Sequence, residues 1–192
     1  LEALQTLNQM SRATVQELCD FALEECVRLT GSRIGYLAFL NRDESVMTMF
    51  AWSRSAMEQC AVNNLTDLYP VETTGLWGEA VRRRRPVITN DYATAGALKK
   101  GLPPGHVHIL RHMNVPVLDG ERVVAVVGVG NKEADYDESD VLQLTLLAQG
   151  MWRIIQRRRS EEDLRASEER FFMVFQSNPI PMTIATLDEG RF

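Results

Sequence analysis

All three histidines of the chain lie close together, at His106, His108 and His112. Imidazole is a frequent metal ligand and acid–base group, so this cluster is the clearest indication of metal or haem chemistry in the sequence. His106 and His108 share a face of an extended segment, whereas His108 and His112 share a face only of a helix. No neighbouring cysteine or carboxylate completes a set of four ligands. We therefore expect histidines of a loop or surface, without a metal ion or haem.

The three cysteines, Cys19, Cys26 and Cys60, offer little further chemistry. Their odd number and wide spacing argue against a disulfide framework and a zinc site. Cys19 and Cys26 fall on one face of a predicted helix, where thiols pack as small apolar side chains. Cys60 leaves a thiol-redox enzyme or sensor as an alternative. Because nucleophile-elbow, phosphate-loop, His-Glu-x-x-His and Cys-x-x-Cys motifs are lacking, we expect no catalysis in this fragment.

The charge pattern argues against nucleic acid as a partner. The formal net charge is -5 and the isoelectric point is about 5.3, which gives no overall attraction for a polyanion. The basic runs 82–85 and 157–159 fall on predicted helices, where helix ends and i,i+4 carboxylates account for them. We interpret both runs as solvated helix faces.

Hydrophobic periodicity predicts the elements that position these residues. Helical spacing begins at Thr14, which forms a capping box with Glu17, and a glycine at position 31 favours the helix end. An Asp-Gly pair at 119–120 predicts a tight hairpin. The pattern predicts helices over 14–29, 75–84 and 139–155 and strands over 34–40, 46–52, 68–71, 86–89, 114–118 and 122–129. The fold class is therefore α+β, a largely antiparallel sheet with helices on its faces and a long C-terminal helix.

Three segments together resemble the GAF domains of bacterial multidomain sensors. They are Gly-Leu-Trp-Gly-Glu-Ala-Val at 75–81 followed by Arg-Pro-Val-Ile-Thr-Asn-Asp at 85–91, the hairpin 114–132 with its preceding Gly-His at 105–106, and Tyr-Asp-Glu-Ser-Asp at 136–140 leading into 151–155. Further on, 160–171 resembles a helical connector and 175–184 resembles the entry of a PAS domain. The resemblance implies a lead-in at 1–13, a GAF sensory domain at 14–159, a linker helix at 160–174 and a truncated PAS start at 175–192.

The resemblance implies a regulatory module of a sensor histidine kinase in a two-component system, with a diguanylate cyclase or phosphodiesterase as alternative parents. In GAF relatives a small ligand lies between the sheet and the segments that here span 51–112. Aromatic walls, an arginine for an anion and an aspartate for a cation would suit that site. The candidate pocket residues are Trp52, Tyr69, Trp77, Asp91, Tyr92, His106 and Arg111. An alternative is a GAF domain that binds nothing and serves as a dimerisation spacer.

Two finer resemblances concern ligand type. Segment 106–113 is similar to the bilin-binding helix of phytochromes, but the attaching cysteine is absent there, so we expect no bilin. Asn131, Lys132, Tyr136 and Asp140 resemble a motif of nucleotide-binding GAF domains, with Tyr in place of Phe and Val141 in place of Glu. We interpret Lys132 and Asp140 as a structural ion pair.

The last helix predicts assembly and the overall setting. Its apolar stripe is broad for one sheet face, which predicts a parallel homodimer and a signalling surface formed by Leu144, Leu147, Met151 and Ile155. Downstream PAS and output domains of the same chain would receive the signal. No apolar run approaches a membrane span, and a secretory signal pattern is lacking, so we expect a cytoplasmic fragment without membrane contact. Its parent can carry a membrane anchor elsewhere.

Overall fold

A computed structural model describes residues 2–10, 12–60, 68–94, 96, 99–100 and 105–177. Its contacts divide the chain into a unit of residues 1–154 and a unit of residues 155–192. The first unit holds the sheet and the helices packed on it. In the second unit the described residues are helical through residue 177. Residues 178–192, which make up most of the predicted PAS start, lie outside the described residues.

A six-stranded antiparallel sheet forms the centre of the first unit, with the order β3-β2-β1-β6-β5-β4. The fold class is therefore confirmed as α+β. The strands are β1 (Ile34–Leu40), β2 (Val46–Trp52), β3 (Leu68–Pro70), β4 (Val87–Thr89), β5 (His112–Asp119) and β6 (Arg122–Gly130). The helices are α1 (Glu2–Gln9), α2 (Val15–Thr30), α3 (Arg54–Gln59), α4 (Leu76–Arg83) and α5 (Glu138–Ser177).

The two central strands, β1 and β6, carry almost unbroken apolar sequence because both faces of the sheet are covered there. Every residue of β6 after Arg122 is buried. The β5–β6 hairpin turns at Gly120, whose φ of +60° lies in the left-handed region that glycine adopts without a steric penalty. This register pairs Asn114 with Gly128 and Val115 with Val127.

The start of α2 follows the predicted local chemistry. The Thr14 side chain accepts the backbone N–H of Glu17, and the Glu17 carboxylate accepts the backbone N–H of Thr14 at 2.7 Å. This capping box satisfies donors that the first helical turn leaves unpaired. Gly31, at a φ of +64°, ends the helix in the left-handed conformation.

The first part of α5 packs into the core of the chain itself. Leu144, Leu147, Met151 and Ile155 are at most 2% exposed, so they are not on a surface that a second copy could contact. The apolar stripe is broader than the sheet alone would cover because α1 covers part of it. Leu4 of α1 lies against Gly150, where an added Cβ would come within 2.3 Å of its side chain. The exposed leucines of this segment are Leu142 and Leu146.

None of the described helices contains an apolar stretch long enough to cross a lipid bilayer.

Candidate functional site

A cavity of about 40 Å³ lies between the sheet, α3, α4 and the segment before β5. It has room for roughly two or three water molecules. Its surface is mostly apolar. The lining residues are Ile34, Gly35, Tyr36, Trp52, Ala56, Cys60, Trp77, Tyr92, His106, Val107, Ile109, His112, Gly128, Val129 and Gly130.

Aromatic rings form one wall of this cavity, with Trp77 at their centre. The Trp77 ring stacks on Tyr36 with centroids 4.9 Å apart and planes 19° apart. Trp52 meets Trp77 edge-on at 6.1 Å, and His106 lies 6.2 Å from it. Trp77 comes from the first turn of α4, so the position of that helix and the shape of the wall are linked.

Tyr36 is held by a buried hydrogen bond. Its hydroxyl donates to the Asn114 Oδ1 at 2.8 Å, and Asn114 Nδ2 donates to the Leu76 carbonyl at 3.4 Å. Gly128 makes room for the tyrosine, since a Cβ there would lie 2.1 Å from the ring. Burial raises the pKa of Tyr36 well above its usual value, so the side chain stays a neutral donor. These contacts connect β1, β5 and α4.

His112, the first residue of β5, is the polar exception in this apolar surrounding. Its ring is 6% exposed, and no described group lies within hydrogen-bond distance of Nε2. Burial lowers the pKa of His112 to about 4, so the imidazole is neutral near pH 7. A buried polar atom without a partner costs about 1–3 kcal/mol. A ligand or water in the cavity could offset that cost by pairing with it.

Four of the predicted pocket residues line the cavity: Trp52, Trp77, Tyr92 and His106. Tyr69 is not in the lining and packs behind Trp77 with centroids 5.7 Å apart.

The two charged candidates do not line the cavity. Arg111 forms an ion pair with Asp135 at 2.9 Å, because it precedes His112 in an extended segment and successive side chains point to opposite faces. The Asp91 carboxylate accepts the backbone N–H groups of Ala93 and Thr94 in a local turn. Arg111 and Asp91 are therefore engaged with other groups and are not among the residues that line this cavity.

Tyr36, His112 and Asn114 were not predicted as site residues. Strand alternation places His112 and Asn114 on one face of β5, and a histidine within an apolar strand was the available signal. The predicted histidine cluster separates: His106 and His112 line the cavity, whereas His108 is exposed. Within the part of the chain that the structure describes, no three potential metal ligands come together.

Cys60 caps the end of α3 and contributes to the cavity lining. Cys19 and Cys26 are buried on α2, as their spacing predicts. Burial raises the pKa of Cys26 well above its usual value, which keeps that thiol protonated and unreactive.

The first of the motif residues, Asn131, lies beside the cavity segment rather than in the lining. At a φ of +62°, it donates from Nδ2 to the His108 carbonyl at 2.7 Å and accepts the Leu110 N–H at 2.8 Å. One side-chain amide thus fixes the backbone on both sides of Ile109, a cavity residue. The amide satisfies backbone groups that the irregular segment leaves unpaired.

Lys132, Tyr136 and Asp140 fasten the start of α5. The Lys132 Nζ lies 2.6 Å from the Asp140 Oδ2, and Asp140 is 4% exposed. The Tyr136 hydroxyl lies 2.7 Å from the Ser32 Oγ, and Asn90 exchanges two hydrogen bonds with the Tyr136 backbone. This geometry agrees with a structural ion pair between Lys132 and Asp140.

Three arginines of the basic run at 82–85 form ion pairs within the fold. Arg82 pairs with the buried Glu79 at 2.6 Å and donates to the carbonyls of Val71, Thr74 and Gly75. Arg83 pairs with the same carboxylate, and Arg84 pairs with Glu44. These arginines hold α4 and its preceding loop in place, so the interpretation of this run as merely a solvated helix face is incomplete.

Comparison with known proteins shows which family this chain resembles. A family model described as GAF domain matches residues 12–156. A relative from Methanosarcina acetivorans, named methyl sulfide methyltransferase-associated sensor, is 61% identical over 165 residues. That match covers 86% of the chain but 16% of the relative, so the chain spans about one sixth of that longer protein.

Solved structures share the fold at low sequence identity. The GAF domain of an Acinetobacter phosphoenolpyruvate-protein phosphotransferase is 17% identical, with a TM-score of 0.65 over 83% of this chain and 93% of that one. A free methionine-R-sulfoxide reductase from Neisseria meningitidis is 13% identical, with a TM-score of 0.62 over 83% and 87%. The chromophore-binding domain of a bacteriophytochrome from R. palustris is 15% identical, with a TM-score of 0.59 over 83% and 61%. At these identities the likeness concerns the fold alone.

Proposed function

This chain belongs to the GAF domain family, and on that premise we propose that it is a sensory module that binds a small, largely apolar ligand in the His112 cavity. The observation that carries the proposal is the buried, neutral His112 with no partner for Nε2 among the described residues. An apolar cleft with one or two well-placed polar groups is the usual design of a small-molecule site. Because the cavity alone has room for only two or three water molecules, the ligand would enter by displacing a wall residue such as Ile109. His112 supplies the polar contact that fixes its orientation.

A chain of direct contacts leads from the cavity to α5. Ile109 lines the cavity, and Asn131 binds the backbone on both sides of it. The next residue, Lys132, pairs with Asp140 in the first turn of α5. A ligand that displaces Ile109 would therefore act on α5 through a short, hydrogen-bonded route. Coupling of this kind requires that the ligand bind the two positions of the segment with different affinity.

We propose further that the parent protein is a sensor of the histidine kinase type and that a PAS domain follows. The name of the relative supports a sensor, and its length leaves room for further domains. In this proposal the fragment regulates an output domain and has no catalytic activity of its own.

Ligand binding is tested by purification without added ligand. The absorption spectrum from about 300 to 700 nm and mass spectrometry of a denatured extract would report a bound molecule. We expect a ligand in stoichiometric amount with the native chain and at least about tenfold less with His112→Leu, since a site built to hydrogen-bond its ligand loses affinity when that group is removed. Gln16→Leu is the control, because Gln16 is exposed on α2 and is not among the residues that line the cavity, and it should retain the ligand. Equal occupancy in all three proteins would refute the role of His112, and no ligand in any of them would favour the non-binding alternative.

The homodimer is a separate part of the proposal. Leu142 and Leu146 lie one turn apart on α5 and are 58% and 54% exposed, which leaves an apolar strip for a second copy. Light scattering at micromolar concentration should give the mass of a dimer for the native chain and of a monomer for Leu146→Glu. Met57→Glu is the control, since Met57 is equally exposed on α3 at 54%. A monomeric native chain would refute this assembly.

A further inference from the structure

A second concavity opens beside the cavity, and we call it the outer groove. It has a volume of about 250 Å³, much larger than the cavity itself. Its lining is Asp91, Tyr92, Ala93, Lys99, His108, Ile109 and Leu110. The outer groove is thus partly polar, whereas the cavity is almost entirely apolar.

Tyr92 and Ile109 line both spaces and form the wall between them. They are 5% and 7% exposed. The cavity, at about 40 Å³, is far below the roughly 300–1,000 Å³ of sites for metabolite-sized ligands. If these two side chains turn aside, the cavity, the outer groove and the space of the wall become one site in that range. Side-chain rearrangements of this kind are common at binding sites.

Among the charged groups of the outer groove, Lys99 is the one that can bind an acidic ligand group. Lys99 lies over the wall, with Nζ 5.1 Å from the centroid of the Tyr92 ring. It donates to the Ala93 carbonyl at 3.3 Å, which uses one of the three N–H donors of an ammonium group. The Asp91 carboxylate, the opposing charge, already accepts two backbone N–H groups. Hydrogen bonds from Thr94 and Ala93, together with the nearby charge of Lys99, hold the pKa of Asp91 below its usual value, so the carboxylate stays charged. No ion pair within 4 Å joins it to Lys99 among the described residues, and the backbone N–H groups remain its hydrogen-bond partners.

We infer that the ligand site has two compartments, the apolar cavity and the outer groove, and that its ligand combines a flat ring system with an acidic group that Lys99 binds. This inference rests on the proposed ligand binding and adds the chemical class of the ligand. The rings enter past Tyr92 and Ile109 toward Trp77 and His112, and the acidic group stays at the solvent-facing end. The ammonium of Lys99 is at the correct place for that contact because it lies directly above the wall.

Two fluorescent probes that differ in one charged group test the inference. They are 1-anilinonaphthalene-8-sulfonate and its neutral counterpart N-phenyl-1-naphthylamine, titrated into the chain after any co-purified ligand is removed. We expect both probes to bind and the sulfonate to bind more tightly. Lys99→Gln should weaken binding of the sulfonate about two- to fivefold, the range of a partly exposed ion pair, and leave the neutral probe unchanged. High salt should reduce the same difference.

Lys100→Gln is the matched control, because Lys100 is the next residue, donates to the Thr73 carbonyl and lines neither compartment. It should bind both probes as the native chain does. An equal effect of both lysine variants, or an equal effect of Lys99→Gln on both probes, would overturn the role of the outer groove. If the neutral probe still binds and His112→Leu abolishes that binding, the proposed function stands although this inference fails. If neither probe binds, both fail. Circular dichroism confirms that each variant is folded.

Discussion

The cavity and the motif region at the start of α5 use buried polar groups in opposite ways. In the motif region, formed by Asn131, Lys132, Tyr136 and Asp140, each side chain has a hydrogen bond or ion pair. At the cavity, His112 is buried without a partner for Nε2 among the described residues. The difference indicates that the motif region fixes the backbone, whereas the cavity keeps an unsatisfied group that a bound molecule can pair with. Buried polar groups are usually satisfied, so the exception is informative.

Burial favours the neutral side chain in both regions, and the regions differ in whether that side chain has a hydrogen-bond partner. It lowers the pKa of His112 to about 4 and raises the pKa of Tyr136 to about 12. The tyrosine is neutral in any case and keeps Ser32 as its hydrogen-bond partner. Burial keeps His112 neutral as well, but Nε2 has no hydrogen-bond partner among the described residues. The free-energy cost of burying this polar atom is therefore not offset within the described structure.

The largest effect is expected from breaking the ion pair of the motif region. Asp140→Ala removes the partner of the half-buried Lys132 and an acceptor for the Asp137 N–H. Breaking a buried pair from one side leaves an uncompensated charge, so the free energy of unfolding should fall by about 4 kcal/mol. Urea denaturation followed by circular dichroism measures it.

Glu133→Ala is the control for that substitution. Glu133 pairs with Arg33 at 2.8 Å, but the two side chains are 84% and 62% exposed. Its removal should cost less than about 1 kcal/mol. Similar losses in the two variants would mean that burial of the Lys132–Asp140 pair contributes nothing, and the proposed role of the motif region would be wrong.

The second effect is a pH dependence that belongs to the cavity. The pKa of His112 is about 4 in the folded chain and about 6.5 in an unfolded one. Because the folded value is lower, the unfolded state binds the proton first, and stability is lost as pH falls from about 6.5 to about 4. The loss should be about 3 kcal/mol. His112→Leu should lack this component, as shown by urea denaturation of both proteins at several pH values in that range.

His108→Leu serves as its control, because the exposed His108 is solvated in both states. Its pH dependence should follow that of the native chain. If His112→Leu and the native chain lose stability in parallel over the same pH range, then His112 is not held neutral by burial. The contrast between the two regions would then lose its main support.

Much of the fold could be predicted because local chemistry determines it. The Thr14 capping box, the Gly120 hairpin and the apolar, aromatic-rich runs of strands β1 and β2 depend on residues near in sequence. The buried face of α5 was also identified correctly as apolar. The burial of that face within the chain was not predicted, because it depends partly on residues far apart in sequence, such as Leu4 of α1 and Gly150 of α5.

The site was harder to predict for the same reason. Aromatic residues such as Trp52 and Trp77 were found by type, since large rings are frequent in ligand pockets. Residue type alone could not show which of Arg111 and His112 faces the cavity. Adjacent strand residues point to opposite faces of the sheet, so the answer depends on which face of β5 each position occupies. His112 was grouped with its neighbours by spacing, although its burial sets it apart.

A pair of matched substitutions gives the smallest effects and the most direct comparison: Tyr36→Phe in the cavity wall and Tyr136→Phe in the motif region. Each removes one hydroxyl from a buried tyrosine. Tyr36→Phe leaves the Asn114 Oδ1 without its donor in a fully buried position, which should cost about 2 kcal/mol. Tyr136→Phe leaves Ser32 with a second partner, the Thr30 hydroxyl at 2.6 Å, so the cost should be about 1 kcal/mol or less.

Urea denaturation at neutral pH measures both variants, and only Tyr36→Phe should also weaken binding of N-phenyl-1-naphthylamine, because Tyr36 lines the cavity. The Tyr36 ring stays stacked on Trp77 after the substitution, so a change in affinity reports the lost hydroxyl and its hydrogen bond rather than a lost wall. Equal costs, or a larger cost for Tyr136→Phe, would show that the cavity wall is as well satisfied as the motif region. In that case the unpaired Nε2 of His112 would be an isolated packing defect. It would then no longer support the proposal that the cavity binds a ligand.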